Sequence, residues 1–418
     1  MTRHVGRRAS GLTSVALVHY AAPPVVGGVE RVVGRQAVLM ADAGHEVRVI
    51  AGRGAAPDPR VRFVTIPLVD PRHPKIERLQ HDLDAGRVPP DFPDIVAALE
   101  VLLEEALAGV DIVIAHNVCS LNLNLALTAA LRLIADRRAP PRLILWHHDL
   151  AATSPFYGPT LHEGLPWDLV REPWPGVVQV VVSAARRVEL AAITGVTPES
   201  ITVVPDGLDA AGAWKLEPRT VELLARTDLI GVAPLLLVPA RITPRKNIEL
   251  ALRVVAAMRG AGRQAGLIVT GAVDPYHSGR RDYLGWLLAL RRTLGLDDVA
   301  WFLAAEQAET PSDAVVADLY RLADALFLPS WDEGFGLPIL EAAVNRLPII
   351  CTDLPTLREI AGDAALYVAP DDDPTAIARR VLERLDADDV VRLARRVRSE
   401  YSWQAIYRTR IAPLLAIG

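Results

Sequence analysis

The fold is decided by residues 13–51, which are TSVALVHYAAPPVVGGVERVVGRQAVLMADAGHEVRVIA. Residues 13–19 form a short apolar run that is typical of a buried strand. Apolar side chains then recur at three- and four-residue steps over 29–40, which predicts a helix with one buried face, and Gly44 stands where a left-handed helix end is common. Residues 46–51 predict a second strand. A strand, a helix and a strand in this order favour a parallel sheet covered by helices.

The same alternation continues along the whole chain and divides into two series. The first series has further strands predicted at 112–115, 143–146, 177–182 and 201–204, and Ser183 is a good N-cap for the next helix. Residues 205–218 then have little periodicity and indicate a linker. The second series has strands predicted at 235–239, 267–270, 299–303, 325–328 and 348–351.

This pattern predicts an α/β protein of two Rossmann-like doubly wound domains. The expected domains are residues 1–205, together with 402–418, and residues 206–401. Because parallel sheets bind ligands beyond the carboxyl ends of their strands, two facing sheets would place a cleft between them, and the motifs should lie in strand-to-helix loops. A chain of 418 residues is long enough for two or three such cores.

The net charge limits the classes of partner that the sequence favours, and the cysteine content limits the kinds of site and the cellular location. With 45 basic and 50 acidic side chains, the formal net charge is -5, so the overall field does not favour nucleic acid or an anionic membrane. The two cysteines, Cys119 and Cys351, lie far apart and outside any CxxC pairing, which argues against a disulfide framework or a thiolate metal site. A reducing, cytoplasmic location is expected.

The N-terminus superficially imitates a secretion signal. Residues 1–8 are basic and are followed by the apolar residues 15–18, but this run is shorter than the ~7 to 15 residues of a signal core. No run elsewhere reaches the ~18 residues that a membrane-spanning helix needs. The sequence therefore predicts a soluble, unexported protein without an integral membrane segment.

The densest motif is PSWDEGFGLPILE at residues 329–341, directly after a predicted strand. Gly334 and Gly336 allow the backbone to approach a ligand and to turn tightly, and Pro338 suits the first position of a helix. The free amides of such a helix start favour an anion or hydroxyl groups. The alternative is a glycine-rich connection with a solvated glutamate, but the combination of strand, glycines, proline and two carboxylates favours a ligand site.

This run resembles the signature of the retaining glycosyltransferases of family 4, whose two glutamates are separated by seven residues, as Glu333 and Glu341 are. The resemblance implies the GT-B fold, with a C-terminal helix that returns to the first domain. It also implies that Glu333 lies beside the transferred sugar and that Glu341 binds the ribose of the nucleotide. The loop backbone at Phe335, Gly336 and Leu337 would hold sugar hydroxyls and phosphate. The similarity extends from Gly27-Gly28 through residues 205–209, which read PDGLD, to Trp403.

A second motif, ARITPRKN at residues 240–247, follows another predicted strand, with Asn247 placed to cap the next helix. Lysine occurs only at positions 75, 215 and 246, so Lys246 stands out in a chain that otherwise uses arginine. An ammonium is a point-charge partner for a diphosphate, and the guanidinium of Arg241 can bind two oxygens. The resemblance assigns both to the donor diphosphate. The alternative is a basic surface at a helix start, and the role of Arg245 is left open.

Thr270 and Phe302, at the ends of two further strands, are additional donor-binding candidates.

The first domain carries weaker motifs. Gly27 and Gly28 join a strand to a helix and are donor-binding candidates, while GxGxxG and GxxxxGK[ST] patterns are lacking there, which argues against dinucleotide oxidoreductases and P-loop enzymes. His116 follows one strand and is an acceptor-binding candidate. His148 follows another strand and matches the place where the family carries a functional histidine. A hydrogen-bonded structural histidine is the alternative for both. His147 is an addition to the family pattern, and its role, structural or otherwise, is left open.

Two positions depart from the family. Asp206 stands where the family commonly has Asn, and the sequence offers no reason for it. Asn345-Arg346 stands where the family commonly has Gly, and Asn345 is the expected left-handed helix end. The aspartate pairs at 82/84 and 386/388 look like metal-binding DxD motifs, but neither ends a hydrophobic strand. They are interpreted as solvated turns or helix faces, and no metal site is predicted.

Residues 151–176 have no clear period and contain several aromatic side chains. Aromatic rings stack on sugars, so Tyr157 and Trp167 are acceptor-binding candidates; the alternative is a long loop packed by its own aromatic side chains. Residues 67–93 are rich in proline and charge and are ambiguous in the same way.

The leading hypothesis is transfer of a hexose from a nucleotide diphosphate sugar, of the GDP-mannose or UDP-glucose type, to a hydroxyl acceptor. Retention of configuration is implied by the resemblance, and no cofactor or metal is expected. The catalytic candidates are Glu333, His148, Arg241 and Lys246. The acceptor is left open among a sugar, a polyol, a glycerate-like molecule and a lipid-linked molecule. The oligomeric state is also left open. The alternatives are a GT-B epimerase or phosphorylase and a non-catalytic sugar-nucleotide-binding protein.

Overall fold

The computed structural model describes residues 12–137, 141–227, 229, 231–272, 281–303 and 311–416. The chain divides into two compact units. The first unit contains residues 1–207 and 403–418, and the second contains residues 208–402. The sequence placed these boundaries at 205/206 and 401/402. Residues 1–11, on which the basic N-terminal prediction partly rests, lie outside the described residues.

The first unit is built on a seven-stranded parallel sheet in the order β3-β2-β1-β4-β5-β6-β7. Its strands are β1 (Ser14–Val18), β2 (Glu46–Ala51), β3 (Arg62–Thr65), β4 (Ile112–His116), β5 (Arg142–His147), β6 (Val178–Val181) and β7 (Ile201–Val203). Its helices before the crossover are α1 (Gly28–Asp42), α2 (Pro74–Asp84), α3 (Phe92–Ala106), α4 (Leu125–Asp136) and α5 (Ala184–Thr194).

The second unit is built on a six-stranded parallel sheet in the order β10-β9-β8-β11-β12-β13. Its strands are β8 (Leu235–Val238), β9 (Gly266–Val269), β10 (Ala300–Phe302), β11 (Ala325–Leu328), β12 (Ile349–Thr352) and β13 (Ala365–Val368). Its helices are α6 (Ala210–Trp214), α7 (Pro218–Arg226), α8 (Ile248–Gly260), α9 (Arg281–Thr293), α10 (Asp313–Leu322), α11 (Leu337–Val344), α12 (Pro355–Ala361), α13 (Pro374–Ala387) and α14 (Asp389–Glu400).

The C-terminal residues return to the first unit as α15 (Trp403–Ile406), a π-helical turn (Tyr407–Ile411) and α16 (Ala412–Leu415). Four of their side chains are buried with strand residues in one core cluster of that unit: Trp403, Ile406, Ile411 and Leu415. A Cβ added to Gly207 would lie 2.5 Å from the Trp403 ring, so the chain passes close to this ring just before it enters the second unit. No helix among the described residues is long and apolar enough to cross a membrane.

The α/β fold class is confirmed, because each sheet is parallel and each strand pairs with the neighbours that a doubly wound order requires. Local signals also agree with the structure. Ser183 caps α5 by accepting a hydrogen bond from the backbone N of Arg186. Gly44 follows α1 in the left-handed region, with φ +88°.

Two local expectations are corrected, and one alternative is excluded. Of the two interpretations left open for residues 67–93, the long loop is excluded, because α2 lies within them and buries Ile76, Leu79 and Leu83. Asn247 does not cap α8 through its side chain, whose amide donates instead to the backbone O of Pro370 at 2.8 Å. The left-handed residue after α11 is Arg346, at φ +56°, whereas Asn345 has a negative φ of -85°.

Candidate active site

The two motifs of the second unit come together at the carboxyl edge of its sheet. They follow β8 and β11, which are neighbouring strands. The backbone N of Trp331 donates to the backbone O of Arg245 at 2.9 Å, and the Lys246 Nζ lies 2.5 Å from Glu333 Oε1. The side chains of Lys246 and Glu333 are 14% and 8% exposed, so this ion pair is largely withdrawn from water.

Hydrogen bonds hold both the carboxylate and the backbone of Glu333. Its Oε1 also accepts a hydrogen bond from Ser330 Oγ at 2.7 Å, and its backbone O accepts one from Thr356 Oγ1 at 3.0 Å. Ser330 follows β11 and Thr356 lies in the first turn of α12. The Ser330 contact orients the carboxylate, and the Thr356 contact holds the backbone that carries it.

Arg241 lies on the segment between β8 and Lys246, and its side chain is exposed. Within the part of the chain that the structure describes, its guanidinium has no hydrogen bond or ion pair, whereas Arg245 lies 3.4 Å from Asp332 Oδ2. The segment is supported by Gly271, where an added Cβ would lie 2.1 Å from the backbone O of Ala240. The contact leaves no room for a side chain at residue 271.

The start of α11 is shaped by Gly336, which has φ +100° and caps the helix. An added Cβ there would also lie 2.6 Å from Leu357 Cδ2, so both conformation and space favour glycine. The neighbouring Phe335 and Leu337 are 56% and 62% exposed. One turn further, Glu341 Oε2 accepts a hydrogen bond from the Tyr320 hydroxyl at 2.5 Å.

The two other donor-binding candidates are buried. Thr270 follows β9 and is 5% exposed. Phe302 is fully buried in the core of the second unit, with the Arg291 guanidinium carbon 5.9 Å from its ring centroid. The Phe302 ring is therefore unavailable to a ligand, and only its backbone could contact one.

In the first unit, the strand-end histidines form one hydrogen-bonded cluster. His148 Nε2 lies 3.2 Å from His116 Nδ1, and His148 Nδ1 lies 3.4 Å from Asp206 Oδ2. Asn117, at φ +59°, accepts hydrogen bonds through Oδ1 from the backbone N of His148 and of Asp149, at 2.7 and 3.0 Å. The structure thus gives Asp206 a partner that the sequence did not suggest.

Burial keeps several of these imidazoles neutral. Desolvation lowers the pKa of His19 to about 4 and that of His147 to about 4, and it lowers the pKa of His116 well below its ordinary value. His19 Nδ1 donates to the backbone O of His116 at 2.8 Å, and His147 Nε2 donates to Gln179 Oε1 at 2.7 Å. The His147 side chain is thus buried and hydrogen-bonded within the first unit.

The glycine pair of the first unit lies at the start of α1, with Gly27 as its N-cap and Gly28 as its first residue. A Cβ added to Gly27 would lie 1.9 Å from Glu30 Oε2, so the Glu30 carboxylate covers this helix start. An anionic ligand at Gly27 and Gly28 would have to displace it, whereas a hydroxyl could pair with it.

The acceptor-binding candidates differ in exposure. Trp167 is 4% exposed and packs in the core with its ring edge-on to His162, so the sequence-based assignment of this ring to an acceptor wall is wrong. Its large apolar surface gains more from the core than a solvent-facing wall would offer. Tyr157 is half-buried, and His116 is fully buried within the histidine cluster.

The aspartate pairs lie on helices and turns. Asp82 is in the last turn of α2 and pairs with Arg87, while Asp388 caps α14. Among the described residues, no group of three His, Cys, Asp or Glu side chains is arranged to hold a metal ion.

Sequence reasoning missed Tyr320, Thr356 and Gly271. Each supports a predicted residue from another element, and each belongs to a common residue type without a motif of its own. The only available signal was position, since Gly271 directly follows a strand end and Tyr320 precedes the strand before the glutamate motif.

Two family models match this chain. The model for glycosyl transferases group 1 matches residues 226–400, and the model for Glycosyltransferase Family 4 matches residues 26–211. Together they span most of both units. With its two parallel Rossmann-like sheets, the chain has the GT-B class of fold, and it belongs to the family 4-type glycosyltransferases.

Several individual proteins are similar to this chain. The chain is 30% identical to a D-inositol 3-phosphate glycosyltransferase from Kineococcus radiotolerans over 48% of its own length, and the match spans about half (47%) of that relative. It is 26% identical to an MMP alpha-(1->4)-mannosyltransferase from Mycolicibacterium hassiacum, covering 95% of this chain and 97% of that protein. Among solved structures, a glycosyltransferase from Rickettsia africae aligns with 96% of this chain and 98% of its own, at 17% identity and a TM-score of 0.36.

Proposed function

We propose that this chain transfers a hexose from a nucleotide diphosphate sugar to a hydroxyl acceptor, with retention of the anomeric configuration and without a metal ion. The observation that carries the proposal is the ion pair between Lys246 and Glu333 on the loops that also bear the exposed Arg241 and the start of α11. Two cations and free helix-start amides at one sheet edge supply the positive charge that a departing diphosphate needs.

The proposed reaction breaks the bond between the anomeric carbon and the diphosphate oxygen and forms a bond from that carbon to the acceptor oxygen. The proton of the acceptor hydroxyl passes to the departing diphosphate oxygen on the same face of the sugar. Glu333 therefore forms no covalent bond, and it lies beside the reacting sugar. Arg241 and Lys246 offset the charge that develops on the leaving group, an effect worth about 3 kcal/mol for one well-placed group.

The proposed donor is of the GDP-mannose type first and of the UDP-glucose type second, because the names of several relatives specify mannose transfer. The acceptor is proposed only as a hydroxyl compound. We further propose that the protein acts in the cytoplasm, since Cys119 and Cys351 are buried free thiols.

The test is acceptor-dependent release of nucleoside diphosphate from GDP-mannose or UDP-glucose by the purified chain, with a panel of hydroxyl acceptors. Arg241→Ala and Lys246→Ala should each lower kcat/KM by at least about tenfold, because a diphosphate loses a charge-assisted partner. Lys75→Ala, which removes an exposed lysine from α2, is the matched control and should remain active. Full activity of both loop variants would contradict the diphosphate assignment.

The same assay separates the alternatives. An epimerase would convert the donor without an acceptor, a phosphorylase would require inorganic phosphate, and a binding protein would release no diphosphate. The anomeric coupling of the product, measured by NMR after reaction with and without EDTA, tests retention and metal independence. An inverted linkage, or activity that only a divalent ion restores, would contradict the proposed mechanism.

A further inference from the structure

A buried phenol holds one oxygen of the carboxylate that is proposed to bind ribose. The Tyr320 hydroxyl donates to Glu341 Oε2 at 2.5 Å. This hydrogen bond joins α10 to α11, which are separated in sequence by β11. Tyr320 is 2% exposed and its ring packs in a core cluster of the second unit, whereas Glu341 is exposed. The contact therefore joins a fixed core side chain to a solvent-facing one.

The donor of this hydrogen bond keeps its proton. Burial, and then the hydrogen bond to Glu341, raise the pKa of the Tyr320 hydroxyl far above its ordinary value. Near neutral pH, the Tyr320 hydroxyl therefore keeps its proton and donates it to Glu341 Oε2. No hydrogen bond from another described residue reaches Glu341 Oε1, which leaves this oxygen available to a ligand.

The helix that carries Tyr320 is itself anchored. Asp318, 2% exposed, accepts hydrogen bonds through Oδ2 from the backbone N of Glu217 at 2.8 Å and from Thr220 Oγ1 at 2.7 Å. These contacts tie α10 to the start of α7. The phenol is consequently held in place by packing and by hydrogen bonds, as a group must be if it is to orient another one.

We propose that Tyr320 is a positioning residue for nucleotide recognition, which fixes the Glu341 carboxylate so that Oε1 meets the ribose hydroxyls of the donor. The inference rests on the proposed function, with its nucleotide donor, and on the family resemblance, which implies that Glu341 binds ribose. A free glutamate must give up rotamer freedom on binding, and Tyr320 removes much of that cost in advance. Tyr320 makes Glu341 selective for a ribose without contacting the nucleotide.

The test compares GDP and UDP with their 2′-deoxy and 3′-deoxy forms by calorimetry. In the unmodified chain, loss of the contacted hydroxyl should weaken binding about tenfold or more. Tyr320→Phe should weaken binding of the ribonucleotide about fivefold and leave that of the deoxynucleotide nearly unchanged. The ratio of the two affinities, which a general loss of stability would not alter, should therefore shrink. In turnover, the donor KM should rise while kcat stays within about twofold.

The controls separate this inference from the function it rests on. Tyr283→Phe removes a matched phenol, which donates to Glu249 elsewhere in the second unit, and should leave the ribose preference intact. Glu341→Ala should abolish the preference. If Glu341→Ala abolishes it and Tyr320→Phe retains it in full, the positioning role is wrong and the ribose assignment stands. If Glu341→Ala also retains it, the ribose assignment itself is wrong.

Discussion

Lys246 Nζ lies 2.5 Å from Glu333 Oε1, which pairs the proposed diphosphate cation with the carboxylate proposed to lie beside the sugar. Both side chains are largely buried, so each offsets the desolvation cost of the other. In the chain without ligand, the charge of Lys246 is therefore already balanced by that of Glu333. A diphosphate has to compete with Glu333 for Lys246, and its own negative charge is repelled by the same carboxylate.

Glu333→Gln should consequently bind a nucleoside diphosphate more tightly and transfer sugar more slowly. Removal of the competing charge frees Lys246, and we expect the Kd for GDP or UDP to fall about tenfold, or ~1.4 kcal/mol. Loss of the carboxylate beside the sugar should lower kcat at the same time. Calorimetric titration with both nucleotides and steady-state kinetics give the two quantities.

The matched control for this prediction is Asp332→Asn. Asp332 is the adjacent carboxylate, but its side chain is 74% exposed and its partner is Arg245 at 3.4 Å. Screening by water should keep its effect on diphosphate affinity within about twofold. Weaker nucleotide binding in Glu333→Gln would mean that Glu333 binds the nucleotide directly.

Much of the fold could be predicted from sequence because its signals are local. The strand-helix-strand order of residues 14–51, the cap at Ser183 and the glycine of α11 each follow from residue types within a few positions. Strands β3 and β13 were missed because they lie at sheet edges and are only partly buried, so they lack a long apolar run.

The site could be predicted only as a set of residues without their partners. Glu333 and Lys246 are 87 positions apart in sequence, and Asp206 lies far from His148. Which of them meet depends on the order of strands in the sheet, which local periodicity does not reveal. The contact between Asp206 and His148 depends on the positions of β5 and β7 on either side of β6.

Asp206 should matter to His148 as a hydrogen-bond acceptor rather than as a charge. A carboxylate can only accept, so Asp206 favours the tautomer of His148 with its proton on Nδ1, in which Nε2 accepts from His116 Nδ1. Asp206→Ala should lower kcat/KM about tenfold, whereas Asp206→Asn, which retains an acceptor and is the family's common residue, should stay within about twofold.

Nitrogen-15 NMR of the imidazoles, with His148 assigned by loss of its signals in His148→Gln, provides the direct readout. We expect the Nδ1-protonated form in the unmodified chain and in Asp206→Asn, and a shift toward the Nε2-protonated form in Asp206→Ala. An unchanged tautomer in Asp206→Ala would rule out control of His148 by Asp206.

The buried histidines should make the first unit sensitive to acid. Burial lowers the pKa of His147 to about 4 from 6.5, so between these values the unfolded chain binds more protons than the folded one. The free energy of unfolding should then fall as the pH drops below about 6.5, by ~2 kcal/mol at pH 5 from His147 alone. Urea unfolding at pH 7.5 and pH 5 measures this loss.

His147→Gln removes this titrating group and should reduce the loss of stability between the two pH values by about that amount. Trp146→Phe is the matched control, because it alters a neighbouring fully buried ring that does not titrate. It should lower stability similarly at both pH values. Equal pH dependence in His147→Gln and in the unmodified chain would contradict the buried neutral state of His147.

Gly271→Ala should disturb residues 240–247, which carry the proposed diphosphate ligands Arg241 and Lys246, from a neighbouring strand end. The new methyl group would lie 2.1 Å from the backbone O of Ala240 and 2.5 Å from the backbone N of Arg241, so the segment that carries Arg241 must move. Overpacking of this kind costs about 1 to 3 kcal/mol of stability, and the displaced guanidinium should weaken GDP or UDP binding several-fold.

The control is Gly285→Ala in α9, where an added Cβ meets no atom within 4 Å. It should stabilise the chain by about 0.5 to 1 kcal/mol and leave nucleotide binding unchanged. If Gly271→Ala lowers the melting temperature but leaves nucleotide affinity intact, the position of Arg241 does not determine diphosphate binding.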